Sequence, residues 1–435
     1  MTRRHGERGL RALYAEDPER ADWLLFGRRA GPGRRGFLKG AGLGAMSAVL
    51  GATIPFHRHM PAGLIPAALA DELEDFKIPG KDGLTVLNDR PLNAETPADL
   101  LDDPVTPTER HFIRNNGAPP EQVDAAGWKL AVEGEVETPL ELTIEDLKSR
   151  FEVVTLQLQL ECGGNGRAGF NPPASGNQWT VGAVGCASWT GVRYADVLAA
   201  AGVRPSAVYT GHYGADAHLS GDPAKIAISR GVPIAKAQDP HNLIAFDMNG
   251  GPIHPENGAP LRLVIPGWPG SCSQKWLTRV SLRDRVHDGE KMGGDSYRVP
   301  RHPVAPGAEV PEDDYVIIES MQVKSIVTFP ATNSAVAGGA SEIRGHAWAG
   351  DRAVSALDLS IDFGASWQAA ELADPANPYA WQNWRAEVRF PVPGYYEVWA
   401  RATDDQGAMQ PFAVSWNPKG YLNNALHRIA LTVSA

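Results

Sequence analysis

Polar and apolar positions fall into regular patterns only after about residue 126. Trp128–Val132 reads as a strand. Thr143-Ile144-Glu145-Asp146 has the form of a capping box and predicts a short helix to Arg150. Val154, Leu156, Leu158 and Leu160 then alternate with Thr155, Gln157 and Gln159, the period of a strand with one buried face. Cys162 comes just past its end, in the loop Glu161-Cys162-Gly163-Gly164-Asn165-Gly166-Arg167, where paired glycines allow close approach of the backbone. Tyr194–Ala201 reads as a helix. Leu261–Ile265 reads as a buried strand that stops at Pro266-Gly267-Trp268-Pro269-Gly270. Strands and helices mix without a βαβ repeat, so residues 126–300 are expected to be α+β.

After Tyr315 the texture changes. Val316–Glu319, Glu342–Trp348, Ala356–Ile361, Ala386–Phe390, Tyr395–Thr403 and Arg428–Val433 are short β-rich runs separated by turns. They predict an immunoglobulin-like sandwich over residues 316–435. The Pro- and acid-rich residues 300–315 read as a linker. Residues 71–125, polar and Pro-rich, read as an extended arm wrapping a core.

A length of 435 residues suits two or three domains, and 46 Gly with 35 Pro, not periodic, agree with a loop-rich, largely β chain. The net charge of −10 is uneven: residues 1–70 hold 11 Lys and Arg against 5 Asp and Glu, leaving 30 against 46 in the rest. An acidic body disfavours nucleic acid and anionic membranes as partners and favours a basic protein.

The basic excess peaks at Arg34-Arg35-Gly36-Phe37-Leu38-Lys39. A mildly apolar run from Gly40 to Phe56 and the small-residue pattern Ala68-Leu69-Ala70 follow. That order predicts a signal peptide over residues 1–70, and the paired arginines resemble a twin-arginine signal. The apolar run is too short for a membrane anchor and is broken by Pro55, His57 and Arg58. A periplasmic location is expected. Twin-arginine export carries proteins already folded, which suits a cofactor acquired in the cytoplasm.

Four segments could carry chemistry. Cys162, on a Gly-rich loop at a strand end, suits a soft metal ligand; otherwise it is a small buried hydrophobe. Cys186 and Cys272 form no CxxC with it, and no CxxCH offers a haem attachment. In His111-Phe112-Ile113-Arg114-Asn115-Asn116, the Arg114 guanidinium could clamp a small oxyanion, or pair with a carboxylate. Ser273-Gln274-Lys275-Trp276 places a Lys after a Pro/Gly turn, where it could meet a phosphate. Tyr297 could donate a hydrogen bond or a proton, or simply pack as an aromatic.

Taken together, these segments resemble the sulfite oxidase family of molybdopterin enzymes, and the soluble bacterial sulfite dehydrogenases most closely. The resemblance runs from about Pro107 to the C-terminus. It also includes Trp189-Thr190-Gly191-Val192, Val232-Pro233-Ile234-Ala235-Lys236-Ala237 and Asp247-Met248-Asn249-Gly250. It implies a mixed molybdopterin domain followed by a sandwich that mediates homodimerisation. It implies oxidation of sulfite to sulfate, with Cys162 as the molybdenum ligand and Arg114 and Tyr297 in the substrate site. Phe112, Arg114, Asn115, Asn116, Asn257, Arg262, Ser273, Gln274 and Lys275 fall at its pterin-contacting positions, and Ser220 at another. No haem is expected in the chain, so electrons would pass to a separate c-type cytochrome.

The match has departures. Asn116 and Asn257 stand where animal sulfite oxidases place histidines, Ser220 stands for an aspartate, and Cys272 for an arginine. Two other readings stay open: a sulfane-sulfur dehydrogenase of a thiosulfate-oxidising system, and a cofactor-free binding protein that keeps the fold.

Overall fold

The computed structural model describes residues 77–435; the twin-arginine segment and the expected cleavage pattern lie outside the described residues. The capping box forms. Asp146 N–H donates to Thr143 Oγ1 at 3.0 Å, Thr143 N–H donates to Asp146 Oδ2 at 2.9 Å, and the helix runs Ile144–Arg150. The second helix is Tyr194–Ala201, ended by Gly202 in the left-handed region, whose N–H caps the carbonyls of Leu198 and Ala199. Among the described residues the remaining α-helix is the single turn Ile234–Ala237. The α+β expectation therefore overstates the helices: the protein is mostly β, because the 3.6-residue period is sustained over only one or two turns at a time.

Two five-stranded sheets flank the helices. In one, Val153–Glu161 pairs antiparallel along its length with Val184–Arg193, which pairs with Leu243–Met248; Gly251–Pro252 and Arg262–Val264 complete it. In the other, Leu140–Thr143, Lys129–Gly134, Leu277–Arg283, Tyr209–Gly214 and Ser229–Arg230 lie in that order, with one parallel pair, Lys129–Gly134 beside Leu277–Arg283. Leu130, Leu142, Leu147, Tyr194, Leu198, Ile244, Leu263 and Val280 share the core between them.

Residues 324–434 form a two-sheet sandwich. Lys324–Phe329, Ala340–Trp348, Gln382–Arg389 and Glu371–Leu372 make one sheet. Ser334–Ala337, His427–Ser434, Gly394–Asp404, Val354–Ser360 and Gln368–Ala369 make the other. Ile343, Trp384 and Val388 face Leu357, Val398 and Leu431 across a common core.

Three expectations change. The alternation at Val154–Leu160 holds only for the first half of the strand; from Leu158 to Glu161 both faces are buried, because the sandwich covers the outer one. Gln159 N–H donates to the carbonyl of Tyr379 at 2.9 Å, and Glu161 pairs with Lys324. The arm, over its described part, is not wholly extended: Thr85–Asp89, Leu92–Glu95 and Ile113–Arg114 form a sheet over Ile78, Val86 and Ala94. The linker is the loop of a ribbon pairing Arg298–Pro300 with Tyr315–Ile317, so the run at Val316 does not enter the sandwich.

Candidate active site

The Cys162 loop is held on every side. Cys162 N–H donates to the carbonyl of Ala183 at 2.9 Å, and Asn165 N–H closes back on the Cys162 carbonyl at 2.8 Å. Asn165 Nδ2 donates to Glu161 Oε1 at 3.0 Å, while its Oδ1 accepts from Ala183 N–H at 3.1 Å. The Glu161 carboxylate also accepts from Lys324 Nζ at 2.9 Å and Trp348 Nε1 at 2.8 Å, both from the sandwich. Close approach is real at two glycines. A Cβ on Gly164 would stand 2.3 Å from the Arg167 guanidinium, and Gly166 (φ +93) lies against Asn423.

Two cavities meet at Cys162. The inner one is narrow, about 50 Å³, and is lined by His111, Phe112, Arg114, Asn116, Cys162, Asp216, Asn257, Arg262, Ser273, Gln274, Lys275, Trp276 and Tyr297 among others. The outer vestibule is wider, about 290 Å³; it shares Arg114, Asn116, Cys162 and Tyr297, and adds Arg167, Lys291, Lys419 and Tyr421. The strand Val153–Glu161 delivers Cys162, the short strand Ile113–Arg114 delivers Arg114, and the turn after Trp268 delivers Ser273 to Lys275. Tyr297 and Trp276 both hold a left-handed backbone (φ 50), strained for bulky residues and maintained where their side chains face the cavity.

The inner cavity concentrates buried cations. Burial holds the Lys275 ammonium well below its ordinary range, and the Arg262 charge pushes it further. Burial alone lowers Arg262. Lys81 reaches in from the arm, donating to Asn257 Oδ1 at 2.5 Å and Thr108 O at 2.6 Å, and burial brings it to about 7. Burial also opposes the charge on Arg114, but the Tyr297 and Tyr421 phenols and the Cys162 sulfur, within hydrogen-bond reach, turn the net direction upward. Arg262 Nε, Gln274 Oε1, Ser271 Oγ and His111 Nε2 are buried without partners. Such orphans around a cationic pocket fit a polar, anionic group such as a pterin with its phosphate. Among the described residues no three His, Cys, Asp or Glu side chains converge on one point, so a metal at Cys162 needs further ligands from a bound group.

Asp216 is the exception to this positive field, and burial raises its carboxyl to about 6, Lys275 only partly opposing. The folded state therefore keeps a proton that the unfolded chain loses near 3.8, so stability falls as pH rises from 3.8 to about 6. Asp216→Asn, neutral throughout, is expected to flatten this fall. Urea midpoints measured across that window check it, and an unchanged slope rejects the burial argument.

Of the residues expected in the site, Phe112, Arg114, Asn116, Cys162, Asn257, Arg262, Ser273, Gln274, Lys275 and Tyr297 all line the inner cavity. Asn115 sits behind it, fully buried, accepting from Lys275 Nζ and donating to Glu256 Oε2 at 2.7 Å. Ser220 does not join them. It lies on an exposed turn, bonded to His218 Nδ1 at 2.8 Å, and Asp216, four residues earlier, lines the cavity instead. Cys272 is fully buried in the core of the mixed domain and does not line the cavity. His111, Arg167 and Trp276 stood within or beside the motifs already singled out but were not chosen. Lys419 and Tyr421 come from the far end of the chain and carried no local signal.

Residues 116–291 match the family described as oxidoreductase molybdopterin binding domain, and residues 315–434 the Mo-co oxidoreductase dimerisation domain. The mitochondrial sulfite oxidase of Rattus norvegicus is 33% identical over 369 residues, 80% of this chain and 66% of the relative, so the chain spans just under two thirds of that protein. The sulfite oxidase of Gallus gallus is 32% identical, over 80% of this chain and 78% of the relative. Among solved structures, the sulfane dehydrogenase SoxCD from Paracoccus pantotrophus superposes with a TM-score of 0.64 over 88% of this chain and 100% of that one, at 24% identity, a likeness of fold.

Proposed function

The chain belongs to the sulfite oxidase family of molybdopterin oxidoreductases, and from that premise we propose that it is a periplasmic sulfite dehydrogenase. In this reading it oxidises sulfite to sulfate at a molybdenum held by Cys162 and a pterin, and passes the electrons to a c-type cytochrome. One observation carries the reading: the Cys162 sulfur sits where a cationic inner cavity opens into a cationic vestibule. The first suits an anionic cofactor and the second a small anion.

Arg262, Lys275, Ser273, Gln274, Asn257 and Phe112 would hold the pterin and its phosphate, with Asn115 orienting the Lys275 ammonium. When bound, the molybdenum centre supplies two-electron oxo-transfer chemistry. The chain's residues do the rest. Cys162 offers one soft ligand from a loop clamped at both ends. Arg114 directs Nη2 to Asn116 Oδ1 at 2.8 Å and stands 3.5 Å from the Tyr297 hydroxyl, so its guanidinium and that phenol face one point and can hold an oxyanion together. Tyr297 Oη also lies 3.4 Å from Asn116, which keeps a donor–acceptor partner for a proton at that oxygen.

We read the sandwich of residues 324–434 as an immunoglobulin-like dimerisation domain, residues 126–300 as the catalytic domain, and the first 70 residues as a twin-arginine signal. The acidic body would steer a basic cytochrome. Its reduction rate is then expected to fall several-fold between low and physiological salt, as roughly 10 Å of screening length takes hold. A rate that ignores ionic strength rejects the steering.

The main test is sulfite-dependent reduction of ferricyanide by the purified protein, with molybdenum quantified in the same sample. Turnover with about one molybdenum per chain supports the reading. The roomy vestibule favours a second reading, a sulfane-sulfur dehydrogenase with a bulkier substrate: a metal-loaded sample inert to free sulfite but active on carrier-bound sulfur selects it. A matured sample without molybdenum abandons both for a binding protein.

A further inference from the structure

Tyr297 does not stand alone in the vestibule wall. Its ring stacks on that of Tyr421, centroids 5.5 Å apart and planes at 20°, and Tyr297 N–H donates to the Tyr421 hydroxyl at 3.3 Å. Each ring carries a guanidinium: Arg230 lies 4.8 Å from the Tyr297 centroid and Arg167 5.2 Å from that of Tyr421. Arg167 borders the vestibule and is anchored to the carbonyls of Lys419 at 2.6 Å and Asn177 at 2.8 Å. Arg230 borders neither cavity.

Arg230 needs an explanation. It is 0% exposed, on the short strand Ser229–Arg230. Nη1 donates to Lys291 O at 3.1 Å and meets Met292 Sδ at 2.9 Å, the buried Cys272 thiol lies within hydrogen-bond reach of the guanidinium, and Nε and Nη2 find no oxygen or nitrogen acceptor. No carboxylate of the described residues forms an ion pair with it. A buried charge without a counter-ion is expensive, and an apolar side chain of the same length would fill the space at lower cost. Besides that neutral thiol, Arg230 has the π face of Tyr297, a backbone-strained residue whose hydroxyl lies 3.5 Å from the Arg114 guanidinium.

We propose that Arg230 is a positioning residue of the anion site. Its charge, acting through the Tyr297 ring rather than by contact, holds that ring in place and raises the positive potential where the substrate's oxygens sit. The inference rests on the reading that the vestibule takes sulfite and releases sulfate. It adds a cation to the site from behind its wall.

The test compares Arg230→Met and Arg230→Gln, which are neutral, with Arg230→Lys, which keeps the charge. Sulfate binding to the molybdenum-loaded protein is measured by calorimetry, and KM and kcat for sulfite are measured alongside. Loss of a charge standing one aromatic ring behind a poorly screened anion site should weaken sulfate by roughly 10- to 50-fold. The two neutral variants should show that loss, KM should rise more than kcat falls, and Lys should recover most of it. In a Tyr297→Leu background the further loss should shrink, since the relaying ring is gone. Arg230→Gln retains a donor for Lys291 O, so it stands in if the Met variant fails to fold.

Wild-type sulfate affinity in a folded neutral variant overturns the proposal. So does a Lys variant as weak as the neutral ones, which would make the role one of shape. Wild-type protein that neither binds sulfate nor oxidises sulfite overturns the substrate reading, and this inference with it.

Discussion

Cys162→Ser is expected to abolish sulfite oxidation while leaving the unfolding midpoint close to that of the wild type. The loop does not depend on the sulfur for its shape: it is set by the Ala183, Asn165 and Glu161 hydrogen bonds, none of which uses the Cys162 side chain. Ser differs by one atom, so little packing against Phe112, Trp179 and Ala183 is lost. The chemistry differs far more. A hydroxyl is a hard, weakly acidic donor on a shorter bond, and cannot offer a soft metal the electron density of a thiolate. Loss of an outer-shell partner typically costs about 10- to 100-fold, so removal of the ligand itself should exceed that and reach background. Ferricyanide reduction, molybdenum content and circular dichroism on one preparation check it. Retained activity in a folded variant takes Cys162 out of the ligand role.

Lys324→Met should produce the largest loss of stability. Lys324 and Glu161 are buried together, their side chains 6% and 2% exposed, 2.9 Å apart. Removing only the cation strands a carboxylate in the seam between the mixed domain and the sandwich, which costs about 3–5 kcal/mol. Trp348 and Asn165 still donate to Glu161, which argues for the lower part of that range. Glu161→Gln combined with Lys324→Met leaves no unpaired charge and should recover much of the loss. Urea unfolding of the wild type and the two variants checks it, and a single variant as stable as the double one rejects the argument. Because Glu161 precedes Cys162, turnover should fall with Lys324→Met beyond what the unfolded fraction explains. The sandwich thus has a direct hold on the Cys162 loop.

How far the sequence could be read depended on whether a feature was local. The Thr143 and Asp146 cap closes within one helical turn, so its four residues were enough to place a helix start. The Tyr194–Ala201 helix and the Val153–Glu161 strand were likewise legible from spacing and end signals. Cys162, Arg114 and Lys275 each gave only a weak local signal; the resemblance joined them, and the structure brings all three to one cavity. The sheet in the arm was not legible: Thr85–Asp89 and Leu92–Glu95 owe their pairing to a core that includes Ile113, from a distant segment. Ser220 was misplaced because an alignment by resemblance cannot see which residue of a polar loop turns inward; Asp216 does so.

By itself the sequence determined the β-rich character, the change of texture near residue 315 and which residues stand as candidates for holding a metal and an anion. Those follow from side-chain chemistry and from periods set by backbone geometry over a few residues. Only the tertiary structure decided that Lys324 and Trp348 brace the Cys162 loop, that Tyr421 stacks on Tyr297, and that Arg230 stands behind it with no carboxylate partner among the described residues. Such contacts join segments from about 70 to 190 positions apart, and their energies depend on burial and distance, which no local pattern encodes.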